Sequence, residues 1–252
     1  PVPGRERPNL GSRATLPRDT LEAVLVKIWE DVLHVWPVGV TDNFFELGGH
    51  SLLAVRLFAE IAKRFERNLP LATLFQAPTV ERLAMILREK GWKAPSTSLV
   101  VIQGAGNRVP FVCVPGVGGN VLGFYDLARY LGPDQPVYGL QARGLDGTEE
   151  PQTRVEDMAA HYIREIKALL PSGPFLLGGA SFGGNVAYEM ARQLQADGQY
   201  VALVSLFDTF APRTGSSPVR VARWRRRLRA QADRFAFHAR SIIQGQERWL
   251  YI

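Results

Sequence analysis

Apolar side chains in the first third of the chain recur with helical spacing. Leu21, Val24, Leu25, Ile28, Trp29, Val32 and Leu33 fall on one face of an α-helix, and Asp19 followed by Glu22 has the spacing of a capping box in front of them. A loop follows, HVWPVGVTDN, marked by Pro37 and Gly39. A second amphipathic helix starts at Ser51 and carries Leu52, Val55, Phe58, Ile61, Ala62 and Phe65. The stretch NLPLATLFQAPTV holds a short helix, and a last helix covers 80–89. This pattern predicts a small all-α four-helix bundle.

From Leu99 onward the helical period gives way to short, continuously apolar runs. VPFVCV, QPVYGL, GPFLLGG and YVALVSLF read as buried parallel strands, because neither face of such a strand meets water. Helical stretches at 122–131, 155–170 and 184–197 lie between them, which predicts an α/β domain with a mostly parallel sheet.

The change of pattern sets the organisation. A polar tail occupies 1–16, the helical domain 17–90 and a linker 91–98, where Gly91 ends a helix and Pro95, Ser96, Thr97 and Ser98 follow. The α/β region spans 99–212, and 213–252 forms a basic segment. With 252 residues and 46% hydrophobic content, the chain has enough apolar surface for such cores. It has no apolar run long enough to span a bilayer. The tail PVPGRERPNLGSRA lacks the apolar stretch of a secretory signal and no Met opens it, so the chain is expected to start inside something longer.

Composition adds two points. The single cysteine, Cys113, excludes a disulfide framework within the chain and suits a reducing, cytoplasmic setting; it reads as a small buried hydrophobe rather than a nucleophile. The net charge of +6 is local. Ten arginines and two acidic residues fall in 213–252, so residues 1–212 balance at −2.

Two serines carry the candidate chemistry. Gly48 and Gly49 allow a tight turn that puts Ser51 at the start of its helix, where amide groups and the helix dipole favour an attached phosphate. Local chemistry alone favours a plain N-cap at that position. Ser181 lies in GGASFGG, directly after the strand GPFLLG and before the helix GNVAYEMARQL. Strand, G-x-S-x-G and helix together are the setting of a nucleophile elbow, although the bare motif also occurs in ordinary Gly-rich turns.

A serine hydroxyl needs a base and an orienting acid, which follow in the chain order Ser, Asp or Glu, His. Asp208 closes YVALVSLF at the same sheet edge as Ser181; on its own it could equally cap the next element. The amides of Phe182, after the nucleophile, and Val117, in the loop CVPGVGGN, are the candidate oxyanion donors. His34, His50 and His161 all precede Asp208, and His238 lies in the arginine-rich stretch RFAFHARSI.

Residues 17–90 resemble a peptidyl carrier domain of a nonribosomal peptide synthetase, on IWEDVL, VGVTDNFFELGGHSLLAVRL, LPLATLFQAPTVERLA and their spacing. The resemblance implies that Ser51 receives 4′-phosphopantetheine from a phosphopantetheinyl transferase using coenzyme A. His50 stands where acyl carriers of polyketide and fatty-acid systems usually have Asp, which points to the peptidyl type and to a residue read by the transferase. The tail resembles the segment after an adenylation domain, implying upstream adenylation and condensation domains as partners.

Residues 99–212 resemble the type I thioesterases that terminate such synthetases, on VPFVCVPGVGGNVLGFYDLARYL, QPVYGLQARGLDG, MAAHYIREIKALLPSGPFLLGGASFGGNVAYEMARQL and VSLFDTFAP. This implies an α/β-hydrolase fold, Ser181 as nucleophile, Asp208 as triad acid and 213–252 as a helical lid. Many relatives have His-Pro where this chain has Pro115-Gly116, a difference that a main-chain donor at Val117 tolerates. The family places its base after the lid and further core strands, so the base is expected beyond Ile252 and His238 is read as an ordinary helical-face residue. The basic lid reads first as a solvated face over the active-site mouth, then as a contact for the anionic arm or a partner domain, and last as a nucleic-acid surface.

The expectation is a carrier–thioesterase didomain from the C-terminal end of a synthetase, with the thioesterase cut short before its base. It would release an acyl or peptidyl thioester by hydrolysis or macrocyclisation, without a metal, nucleic acid or membrane. Two alternatives stay open: a carrier and docking module without turnover, and a stand-alone serine esterase.

Overall fold

The computed structural model describes residues 5–11, 13–145 and 150–210. They form two compact units that divide between Pro95 and Ser96.

The first unit holds α1 (Thr20–Leu33), α2 (Ser51–Phe65), the single turn α3 (Thr73–Gln76) and α4 (Val80–Arg88). Asp19 starts α1 by accepting the Glu22 amide at 2.9 Å. The Glu22 carboxylate reaches back to the amide of Arg18 rather than to that of Asp19, one residue further out than a capping box places it. The apolar faces converge on Leu25, Trp29, Phe44, Leu57, Ile61, Leu74 and Leu83, all fully buried. Each contributes about 1.5–3 kcal/mol by leaving water. Trp29 meets Phe44 edge-on at 5.5 Å, Phe44 meets Phe45 edge-on at 5.4 Å, and Phe45 stacks on Phe75 at 5.4 Å, so aromatic rings carry the packing from α1 through the loop to α3.

An ionic cluster closes one end of this bundle. Arg18 pairs with Glu22 at 2.7 Å, while Arg88 of α4 bonds both Asp19 and Glu22. Hydrogen bonds from the Arg18 guanidinium hold the buried Glu22 carboxyl down at about 2, against the desolvation that would raise it.

The segment read as a tail packs onto the same unit. β1 (Arg5–Glu6) pairs in parallel with β2 (Val35–Trp36). Arg7 forks onto Asp42, with Nε 2.7 Å from Oδ2 and Nη2 2.6 Å from Oδ1. Val40 donates to the Thr15 carbonyl at 2.9 Å, and a Cβ on Gly39 would lie 2.6 Å from the Thr15 nitrogen, so only glycine admits the strap this close.

The second unit contains β3 (Leu99–Gln103), β4 (Phe111–Val114), α5 (Tyr125–Leu131), β5 (Val137–Leu140), α6 (Val155–Leu169), β6 (Phe175–Ala180), α7 (Phe182–Ala196) and β7 (Val201–Phe207). The sheet order is β3-β5-β4-β6-β7; β3 runs antiparallel to β5 and all other pairs are parallel. β3 was not among the expected strands. It is a half-buried edge strand, unlike the fully buried β4, although its LVVI run is just as apolar. Tyr162, Ile163 and Ile166 of α6 share a core cluster with Val186, Met190 and Leu194 of α7 and with Phe175 and Leu177 of β6. The parallel strands β4, β6 and β7 bring three chain exits to one sheet edge, before Pro115, Ser181 and Asp208.

Three residues of the linker segment, Ser96, Thr97 and Ser98, belong to this unit, and two of them are fastened to it by side chains. The Ser98 hydroxyl lies 2.9 Å from His161 Nε2, and Thr97 donates to Glu165, so 97–98 are fastened to α6. Among the described residues no helix is long and apolar enough to cross a membrane.

Candidate active site and attachment site

Ser181 occupies φ 52, ψ −118 between β6 and α7. Such a backbone costs an L-residue about 1–3 kcal/mol and persists only where its surroundings enforce it. The enforcement is steric. A Cβ on Gly179 would overlap the Gly183 carbonyl and lie 2.6 Å from the Gly184 Cα. A Cβ on Gly183 would overlap the carbonyl oxygens of Val114 and Pro115. The turn thus folds strand against helix and helix against the end of β4, closing the sharp bend of an elbow. Ser181 makes no side-chain cap bond to α7 and is exposed.

β6 and β7 align Ala180 with Phe207, and the Ser181 amide donates to the Phe207 carbonyl at 2.8 Å. Asp208 is therefore the next residue after the carbonyl that holds the elbow; it is exposed and takes φ 48.

The loop after β4 passes on the other side. A Cβ on Gly116 would lie 3.6 Å from the Ser181 Cβ. Gly119 closes the turn by donating to Gly116 at 2.9 Å and accepts from Ala142 at 3.0 Å, at φ 65. Val117 lies within this turn, and Phe182 opens α7 directly after the serine.

His161, the one histidine among the described residues of this unit, is bound to Ser98. His238, Pro212 and the segment 213–252 lie outside the described residues. Cys113 is buried at the centre of β4, and desolvation pushes its thiol up to about 12, so it stays protonated at neutral pH.

Ser51 begins α2 and is exposed. α1 and α4 carry side-chain N-caps from Asp19 and Thr79 and an acidic residue in their first turns. α2 has neither: the side chain of His50 makes no cap bond and the first turn holds no acid. Gly48 takes φ 88, and a Cβ on Gly49 would strike the Phe44 ring and lie 2.5 Å from the Phe44 oxygen. The buried Phe44 is the floor on which the turn before Ser51 rests. Sequence reasoning passed over Arg7, Thr97 and Ser98, whose partners are remote in the chain, and Thr209, which packs against the distant Gly184.

The thioesterase domain model matches residues 109–243, more than half of the chain. The chain belongs to the thioesterase domain family. Ahead of that domain, the phosphopantetheine attachment site model matches residues 23–87, so a carrier domain for covalent 4′-phosphopantetheine precedes the thioesterase. The thioesterase and its carrier are similar to malpibaldin synthetase of Mortierella alpina, 42% identical over 198 residues that cover 78% of this chain and 4% of that protein. A dimodular nonribosomal peptide synthase of Bacillus subtilis is 41% identical over 194 residues, 77% of this chain and 8% of that protein. Among solved structures, a holo four-domain nonribosomal peptide synthetase bound to AMP and glycine is 36% identical, with a TM-score of 0.50 over 84% of this chain and 16% of that one. The chain thus spans a small part of the length of these relatives.

The carrier domain's residues fit the cofactor. A phosphate ester needs an exposed hydroxyl and a setting that tolerates negative charge, and the start of α2 offers Ser51, uncapped amides and no carboxylate in the first turn.

Proposed function

We propose that this chain holds an acyl or peptidyl group as a thioester on a phosphopantetheine arm at Ser51 and releases it through Ser181. The observation that carries the reading is the strained elbow at Ser181, hydrogen-bonded to the residue before Asp208. Bound at Ser51, the arm supplies the thiol that holds the acyl group.

Ser181 Oγ adds to the thioester carbonyl while its proton passes to a base oriented by Asp208. The carbonyl oxygen takes the negative charge and accepts hydrogen bonds from the amides of Val117 and Phe182. Collapse breaks the C–S bond, the sulfur leaves as a thiol with the transferred proton, and an ester remains on Ser181. Water then adds and frees an acid, or a nucleophile within the acyl chain adds and frees a ring. The carrier is loaded by a phosphopantetheinyl transferase using coenzyme A and served by upstream synthetase domains.

The test is intact-protein mass after loading with an acyl-coenzyme A and a broad-specificity phosphopantetheinyl transferase. Acyl loss from the arm that stops in Ser181→Ala, with loading intact, supports the reading. Acyl loss that persists in Ser181→Ala overturns it, and loading without loss in either chain, even with the synthetase's downstream residues supplied, leaves a carrier and docking module.

A further inference from the structure

Thr209 follows Asp208 and reaches both sides of the elbow. Its hydroxyl donates, at a long 3.3 Å, to the Phe207 carbonyl, the same oxygen that accepts the Ser181 amide at 2.8 Å. A carbonyl oxygen has two lone pairs, so one acceptor serves both. The other side of Thr209 fills the first turn of α7: a Cβ built on Gly184 would run into Thr209 Oγ1 and lie 2.7 Å from its Cγ2 and 2.8 Å from its Cβ. Gly184 in turn donates to the Ser181 carbonyl at 3.1 Å.

Asp208 is thereby gripped from both neighbours. Phe207 is tied to the nucleophile's amide, and Thr209 is wedged against the helix that the nucleophile opens. The grip has a physical purpose, because Asp208 takes φ 48, a left-handed backbone that Asp enters more readily than most L-residues but that its extended and helical alternatives compete with.

We propose that Thr209 is a positioning residue: it keeps Asp208 in its strained turn and so sets the acid at a fixed place beside the elbow of Ser181. The proposal rests on the reading of Ser181 and Asp208 as partners in one site. Losing the hydroxyl lets the turn relax, moving the Asp208 carboxylate while leaving the substrate-binding surfaces in place. The effect falls on acyl transfer rather than on binding. Gly184→Ala pushes the same wedge out from the helix side.

The experiment uses the full chain with Thr209→Val, Thr209→Ser and Gly184→Ala, and two readouts. The first is hydrogen exchange of the Ser181 amide, which needs no turnover. It accelerates about tenfold or more in Thr209→Val and Gly184→Ala, returns in Thr209→Ser, and leaves the Leu177 amide unchanged. The second is cleavage of an acyl-pantetheine thioester. Thr209→Val lowers kcat about tenfold with KM within about twofold, Thr209→Ser recovers most of it, and Thr209→Val adds little in an Asp208→Asn background. Unchanged Ser181 exchange in Thr209→Val, or a full additive loss on top of Asp208→Asn, overturns the proposal. Thioester cleavage that survives Ser181→Ala instead overturns the reading of the site, while the exchange result still stands or falls by itself.

Discussion

The Ser181 amide donates to the Phe207 carbonyl across 2.8 Å, tying the end of β6 to the end of β7 one residue before Asp208. Ser181 and Asp208, the proposed nucleophile and acid, are thus linked through main chain.

If Asp208 orients the base, Asp208→Asn keeps the fold and removes the charge that stabilises the protonated base. Thioester cleavage falls by about 10²–10⁴-fold at unchanged thermal midpoint. Steady-state hydrolysis of an acyl-pantetheine thioester measures it, and a loss below about threefold would remove Asp208 from the site.

Gly183→Ala places a methyl onto the carbonyl oxygens of Val114 and Pro115, which are backbone and cannot rotate away. The expected cost is about 2 kcal/mol or more in urea unfolding, together with loss of Ser181 reactivity. Gly118→Ala is the control, since its Cβ meets nothing within 4 Å.

For the carrier, Ser51→Ala abolishes the phosphopantetheine mass gain. Gly49→Ala, which drives a methyl into Phe44, slows loading and lowers the stability of the first unit. Intact mass over a loading time course separates a chain that cannot be modified from one modified slowly.

The Glu22 carboxyl, held at about 2 against an ordinary 4.5, makes the first unit acid-sensitive with a defined sign. A depressed folded value means stability that is complete above the unfolded value and drains away as pH falls from about 4.5 towards 2. Glu22→Gln loses that contribution at neutral pH. Wild type and variant therefore converge in stability across this window, which hydrogen exchange of α1 amides at stepped pH will read.

β4 was legible because Phe111, Val112, Cys113 and Val114 are all buried, whereas β7, expected as a buried strand, was legible from its apolar run although Leu203, Leu206 and Phe207 are exposed. The elbow was legible because its glycines adjoin Ser181 in the chain. β3 escaped even though its LVVI run is continuously apolar, and its half-buried place at the sheet edge is visible only in the fold. Arg7 with Asp42 and Ser98 with His161 escaped because 35 and 63 residues separate the partners, and hydrogen bonds of that span leave no periodic trace. Thr209 looked like any loop residue until the packing against Gly184 brought it to the helix.

Cys113 has a use beyond the core. It is the chain's one cysteine, and burial holds its sulfur as an unreactive thiol. In the native chain a pantetheine arm would then carry the sole thiol open to alkylation. A thiol titration under native conditions would count arms that are loaded but empty of cargo, giving a colorimetric gauge of carrier occupancy with no label added to the protein.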